Sequence, residues 1–406
     1  MALTINNINK NKFINELFRK KFKFKSLQQV INQLNKNSIF RVPKFLIFFD
    51  YYNNPYCNDI NAYYIFEYYI KKNITDAYYV INFQSELYKS LLIKNQTDNL
   101  IPINTSDYIY DIIYPYLLNS KIIVNSFIYM DIQRLVSKVS YLKYLFITHA
   151  LGYFKTKVIY VQFNNLIKNK RNIIVSSFYE YEKYKKILNY NESYMYKAGL
   201  PRYDRFESTH KNISENNCIL ISFTYRKYNN EVYKNSLFKK NLEKLLNDTT
   251  LISFLKNKSI DIIYIQHHYD NLRKRPFDPN EFRYIKYKNQ TFLSHYIEQC
   301  SLFITDFSTI CFDFMFLNKP VLFYLIDLKD KINFEERQYM KYDKNNNIYF
   351  GNVFSERNSL IKKIKYYANR NFELEDKLKK KYESIFYYKK NITEKIFNII
   401  NNIIKK

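Results

Sequence analysis

Residues 303–314, FITDFSTICFDF, carry the most telling chemistry of the chain. A strand-like apolar run ending at Thr305 meets Asp306, and two adjacent hydroxyls, Ser308 and Thr309, follow. A helix-like apolar stretch comes next and stops at Asn318-Lys319-Pro320. A strand that passes through hydroxyls straight into a helix leaves the first N–H groups of that helix unpaired and aimed at one point, which suits a phosphate. The same residues suit a plain cap, with Asp306 or Ser308 closing the first turn. Local sequence leaves both open.

Groups of matching chemistry stand at the ends of other apolar runs. His149 closes the run 144–148, where an imidazole can act as a general base near neutral pH or simply bond to backbone. The run 262–265 delivers Gln266-His267-His268-Tyr269, and one of the two histidines can donate to a phosphate oxygen. Thr224 and Arg226 follow the run 218–223; they add a hydroxyl and a forked cation suited to phosphate, although an arginine there also serves as an ordinary ion-pair partner. Only three glycines occur, and Gly152 and Gly199 both sit where a ligand or tight turn needs close backbone approach or positive φ.

Strands must carry these residues if they are to meet. From residue 44, short apolar runs (45–49, 78–83, 122–124, 173–175) alternate with helix-like segments such as 62–70 and 179–188. The alternation restarts after residue 210, with strands expected at 218–223, 260–265, 302–305 and 321–325 and helices at 237–246 and 309–317. Such alternation predicts mostly parallel sheets with helices on both faces. At 406 residues the chain has room for two domains of about 100–200 residues each. The expected division is a basic amphipathic segment at 1–43, a Rossmann-like domain at 44–210, a second at 211–380 and a Lys-rich helix at 381–406. The polar stretch 207–217 marks the boundary. Two doubly wound halves place a ligand cleft at the C-terminal ends of their strands.

Lys and Arg number 64 against 37 Asp and Glu, and a net charge of +27 favours anionic partners. Phe13, Leu17, Phe24, Leu27, Ile31 and Leu34 share one helix face among lysines, so that segment can lie on an anionic bilayer or pack against the first domain. No apolar stretch reaches the ~18 residues of a membrane span and no signal-peptide core opens the chain, so a soluble or surface-attached cytoplasmic protein is expected. The four cysteines are scattered, without a C-x-x-C pair, and read as reduced thiols. The five histidines form no H-x-x-x-H pair, and no D-x-D follows a strand, so no metal site is expected. Neither G-x-G-x-x-G nor a Walker A sequence occurs, which argues against a dinucleotide-binding fold and a P-loop NTPase. Basic charge and aromatics also fit nucleic acid, but the lysines are spread along the chain, and no nucleic-acid partner is expected.

Read in chain order, these fragments resemble the CDP-glycerol glycerophosphotransferase family, the polymerases and primases of teichoic acid and capsule. Asn61-Ala62-Tyr63-Tyr64-Ile65-Phe66-Glu67-Tyr68 is similar to the family's N-P-K-A-L-Y-E-Y, and Gly199-Leu200-Pro201-Arg202-Tyr203-Asp204 to G-Y-P-R-N-D. Thr224-Tyr225-Arg226 resembles T-W-R, and Gln266-His267-His268-Tyr269 resembles R-x-H-Y or R-x-H-P. Thr305-Asp306-Phe307-Ser308-Thr309 resembles T-D-Y-S-S, with Asp313 in the F-D that follows and Lys319-Pro320 in K-K-P. The resemblance runs from residue 44 to about 380. It departs at His149-Ala150-Leu151-Gly152, where the family has W-H-G, and at Gln266, where it has a basic residue.

The resemblance implies an α/β protein of GT-B fold, two Rossmann-like domains facing across a cleft, with the nucleotide held mainly by the second. It implies a CDP-activated polyol as donor, a glycan, lipid-linked or polyol-phosphate acceptor, release of CMP, and no metal or other cofactor. His149 matches the family's general base and His268 its donor-pyrophosphate histidine, with His267 the alternative if the register slips by one. Ser308 and Thr309 are expected to hold the diphosphate with Thr224, Arg226, Arg202 and Asp306 around it; Gly152, Gly199 and Asp313 fall to acceptor-side or structural places. The expected location is the inner face of the plasma membrane, in wall or capsule polymer synthesis. A GT-B transferase of an NDP-sugar and a non-catalytic family member are the alternatives.

Overall fold

The computed structural model describes residues 44–50, 61–103, 113, 116–127, 129–139, 141–148, 151, 171–209, 217–226, 230–267, 285–288, 293–327 and 350–406. The expected N-terminal amphipathic helix, His149, Gly152 and His268 lie outside the described residues. The chain divides into two compact units, one formed by 1–149, 160–204 and 390–406, the other by 150–159 and 205–389.

Strands of the first unit are β1 (Phe45–Phe49), β2 (Ala77–Asn82), β3 (Leu100–Ile103), β4 (Ser120–Asn125), β5 (Lys143–Ile147), β6 (Asn172–Val175) and β7 (Met195–Lys197). They form one parallel sheet in the order β3-β2-β1-β4-β5-β6-β7. Runs such as FLIFF and NIIV are apolar on both sides, as strands covered on both faces must be. The helices of this unit are α1 (Asn61–Lys71), α2 (Glu86–Ile93), α3 (Met130–Lys138), α4 (Phe178–Ile187) and α5 (Arg202–Thr209), the last crossing into the second unit's residues.

The second unit holds β8 (Cys218–Ile221), β9 (Asp261–Ile265), β10 (Ile285–Lys288), β11 (Leu302–Thr305), β12 (Val321–Tyr324) and β13 (Asn352–Phe354), parallel in the order β10-β9-β8-β11-β12-β13. Its helices are α6 (Asn230–Asn235), α7 (Leu237–Leu246), α8 (Thr249–Asn257), α9 (Leu293–Gln299), α10 (Cys311–Phe316), α11 (Arg357–Ala368) and α12 (Asp376–Glu383). Ile221, Phe223, Leu242, Ile262, Ile304 and Ile364 meet in the core between sheet and helices. The last helix, α13 (Ile392–Lys405), returns to the first unit. Both sheets therefore follow the doubly wound plan, each reversing its strand order beside its first strand.

β1, β11 and α7 carry the bounds expected from sequence, most other elements differ by a residue or two at an end, and two of the differences bear on the site. β8 ends at Ile221 rather than 223, and the helix expected from 309 starts at Cys311 because Thr309 and Ile310 form a turn. With glycine so scarce, asparagine takes most of the left-handed backbone positions among the described residues: Asn73, Asn95, Asn189, Asn318, Asn371 and Asn391 all have φ between 49° and 58°, and Ser259 and Phe372 join them. Among the described residues no helix is long and apolar enough to cross a membrane.

Candidate active site

The second sheet reverses its order between β8 and β11, and open parallel sheets bind ligands beyond the C-terminal edge of such a point. Four adjacent strands deliver residues there: β9 gives Gln266 and His267, β8 gives Thr224 to Arg226, β11 gives Asp306 to Thr309, and β12 gives Asp327. The ring of His267 lies 5.7 Å from that of Tyr225. Thr224, Arg226, Asp306, Ser308 and Thr309 thus share one sheet edge.

Asp306 organises this edge. Its Oδ1 accepts from the Thr224 amide (3.0 Å), the Thr224 hydroxyl (2.9 Å) and the Phe307 amide (2.6 Å). Its Oδ2 lies 2.7 Å from Nη2 of Arg226. Arg226, only 4% exposed, donates through Nε and Nη2 to the two oxygens of Asp327 (2.8 and 3.0 Å) and through Nη1 to the Thr224 carbonyl (2.6 Å). Its guanidinium also stands over the rings of Phe238 and Phe307, 4.8 and 5.2 Å from their centroids. Burial pulls the Arg226 pKa down, but Asp306 and Asp327 outweigh it and hold the group charged above its usual value.

This arrangement differs from the sequence expectation for three residues. Arg226 and Asp306 do not stand ready for a phosphate; with Asp327 they form a buried knot of one cation and two anions, and the Thr224 hydroxyl is drawn into it. A net negative knot does not attract an anion by itself. Its geometry fixes the backbone that does. In α10 the amides of Cys311, Phe312 and Asp313 reach back to the carbonyls of Ser308, Thr309 and Ile310, a tight first turn that satisfies them internally. Ser308 Oγ accepts the Ile310 amide at 3.4 Å. Among the described residues, the amides of Ser308 and Thr309 and the Thr309 hydroxyl have no protein partner. The open donors therefore lie before the helix rather than in its first turn. Asp313 is buried inside α10.

The first unit has a carboxylate at the equivalent point, between β1 and β4. Asp50 follows β1 and accepts from the amides of Ala62 (3.1 Å) and Tyr63 (3.0 Å), the Tyr79 hydroxyl (2.9 Å) and the Ser126 hydroxyl. Burial pushes its carboxyl above the ordinary range, against the pull of these donors. The N-terminus of α1, where a phosphate is often found, is thus filled by the protein's own anion. Beside it Asn61 is fully buried; Nδ2 donates to the Thr148 carbonyl (2.7 Å) and Oδ1 accepts the Arg202 amide (3.4 Å).

Gly199 and its neighbours serve the return of α13. A Cβ on Gly199 would fall 2.8 Å from Cδ1 of Ile392, so close approach, not positive φ, explains the glycine. Asp204 accepts from the amides of Ile392 (3.0 Å) and Thr393 (2.7 Å), capping α13 where Asn391 offers no side-chain bond. Arg202 belongs to this first unit, its guanidinium 5.4 Å from the Tyr203 ring. Sequence reasoning passed over Asp50 and Asp327, although each is a carboxylate placed just beyond a buried strand, the signal that singled out Asp306. Among the described residues no group of three or more His, Cys, Asp or Glu is placed to hold a metal.

The sequence pattern of the family described as CDP-Glycerol:Poly(glycerophosphate) glycerophosphotransferase matches residues 34–402. The Minor teichoic acid biosynthesis protein GgaB of Bacillus subtilis (strain 168) is 28% identical over 256 residues, covering 58% of this chain and 27% of GgaB. The Teichoic acid glycerol-phosphate primase of the same organism is 25% identical over 233 residues, covering 52% of this chain and 58% of the primase. The chain thus spans only part of the length of these relatives. Among solved structures, the Wall Teichoic Acid Polymerase TagF superposes with a TM-score of 0.64 at 15% identity, over 100% of this chain and 99% of that one. UDP-N-acetylglucosamine 2-epimerase from Rickettsia bellii gives 0.53 at 13% identity, over 89% and 97%. These two likenesses establish a GT-B-like fold and say nothing of substrate.

Proposed function

The chain belongs to the CDP-Glycerol:Poly(glycerophosphate) glycerophosphotransferase family, and from that premise we propose that it transfers a polyol phosphate, glycerol phosphate or a close analogue, from a CDP-activated donor. The acceptor is a glycan, lipid-linked or polyol-phosphate hydroxyl of a growing wall or capsule polymer. Its oxygen bonds to the β-phosphorus, the bond from that phosphorus to the bridging oxygen breaks, and CMP leaves with the electron pair. His149 is assigned to take the alcohol proton, and His268 or its neighbour His267 to donate to the pyrophosphate.

One observation carries this reading: the unpartnered amides of Ser308 and Thr309 at the switch point of the second sheet, in a loop fixed by Asp306. Fixed N–H donors stabilise charge on a transferring phosphoryl group without reorganising. The knot beneath them is net negative, so imidazoles are needed to complete the site. Transfer without a metal ion is part of the proposal. Action at the inner face of the plasma membrane is supported by the excess positive charge, +27.

Purified protein given CDP-glycerol or CDP-ribitol with acceptor is expected to release CMP, equally in EDTA. His149→Ala should abolish turnover and leave donor binding intact. A folded protein silent with both donors, but active with an NDP-sugar, identifies a sugar transferase instead.

A further inference from the structure

We propose that Asn61 is a positioning residue for this reaction, a role that rests on the functional reading above. Three parts of the first unit converge on its side-chain amide. The residue itself opens α1, whose next two amides, those of Ala62 and Tyr63, are pinned by the Asp50 carboxylate. Its Nδ2 holds the Thr148 carbonyl, just beyond β5, and its Oδ1 holds the Arg202 amide at the start of α5. In sequence the residue after Thr148 is His149, the assigned base, and Arg202 is the cation of the Gly199-Leu200-Pro201-Arg202 segment.

The chemistry of the side chain fits the task. An amide presents a donor and an acceptor a fixed distance apart, so one planar group ties a carbonyl to an N–H. On the Thr148 side water cannot readily take its place, because Asn61 is 0% exposed and Thr148 is buried, whereas Arg202 is half-buried. Leu, Ala or Ser at this position would drop one tie or both. Aspartate would keep the Arg202 bond but set an oxygen against the Thr148 carbonyl, and a buried carbonyl facing an anion is displaced. Small displacements of a reacting group are expensive in rate, about a hundredfold for an ångström. Asn61 touches neither reacting atom; it acts through the two backbone segments it holds.

The test compares Asn61→Ala and Asn61→Asp with wild type in CMP release, CDP binding, thermal melting and amide hydrogen exchange. Both variants are expected to bind CDP within about twofold of wild type, because the donor loop lies in the other unit, and to lose kcat by about tenfold or more. Exchange is expected to rise in the peptide covering 143–148 in both variants, and in the peptide covering 199–205 in Asn61→Ala, which loses the Arg202 bond. Folded variants with kcat near wild type overturn the proposal, and so does a parallel loss of CDP affinity, which marks general damage. Wild-type protein inactive with every CDP-polyol overturns the functional reading instead. Exchange then decides alone: unchanged protection of the Arg202 amide in Asn61→Ala disproves the tie. If Asn61→Ala does not fold, Asn61→Asp still tests the Thr148 tie, through kcat and through exchange over 143–148.

Discussion

Replacing Arg226 by Met would leave Asp306 and Asp327 buried without their cation, and the size of that loss separates two accounts of the site. If the guanidinium were chiefly a phosphate ligand, removal would cost donor affinity and little stability. The observed geometry predicts the reverse order. Both carboxylates are almost fully covered, so stripping the shared cation should lower unfolding free energy by about 3–5 kcal/mol. Asp327→Asn should cost far less, below about 2 kcal/mol, because Arg226 and Asp306 then remain as a one-to-one pair. Urea denaturation of the two variants checks the ordering; equal stabilities would show that charge does not hold the knot. Arg226→Lys should fall nearer to Met than to wild type, since a point charge cannot reproduce the fork that grips both oxygens of Asp327 and still reaches Asp306.

At the scale of elements, the helices of this protein end in a manner set by its composition. Asn95 follows α2 with φ of 55°; its amide donates to Leu92 and the next amide, of Gln96, to Leu91, the paired bonds of a glycine-type helix stop. Asn95 is exposed, so its substitution tests backbone preference with little packing change. Asn95→Ala should cost about 1 kcal/mol, the strain of a Cβ in the left-handed region, while Asn95→Gly should hold or slightly gain. Equal melting temperatures for the two variants would refute this account. The same substitution of Asn for Gly explains what was legible in sequence and what was not. β1, β11 and α7 could be bounded because buried parallel strands and amphipathic helices announce themselves locally. Glycine, the usual marker of turns and phosphate loops, occurs only three times and not near residues 303–314, so the Ser308–Thr309 loop announces itself only by its hydroxyls. Asn61, Asp204 and Asp327 act on partners 87, 188 and 101 residues away, and no local pattern reveals such bonds. Arg226 shows the same limit: its neighbours in sequence suit either phosphate or an ion pair, and only the fold brings Asp327 to it.

At the scale of the whole molecule, the first unit is completed by α13, far along the chain from its strands. Ile392, Ile396, Ile400 and Ile403 form one buried stripe of α13. The helix packs against α1, β4 and β5, with Phe397 set 4.7 Å from the ring of Tyr69. Both ends are tied to the same unit, Asp204 holding the first amides and Lys143 donating to the carbonyls of Ile403 and Ile404, each at 2.8 Å. Burying an isoleucine contributes about 1.5–3 kcal/mol, so the four together contribute about 6–12 kcal/mol, an upper figure comparable with the stability of an entire domain. A chain ending at Lys389 should therefore leave the first unit open and aggregation-prone, while the second unit, formed by 150–159 and 205–389, keeps its fold. Limited proteolysis should cut the truncated chain first within 61–148, at sites protected in the full chain, and adding the 390–406 peptide in excess should restore part of that protection. Equal protection of 61–148 with and without α13 would mean that the stripe merely decorates a finished core. During synthesis the same dependence holds the first unit incomplete until α13 emerges, so the second unit is expected to close first despite being made later.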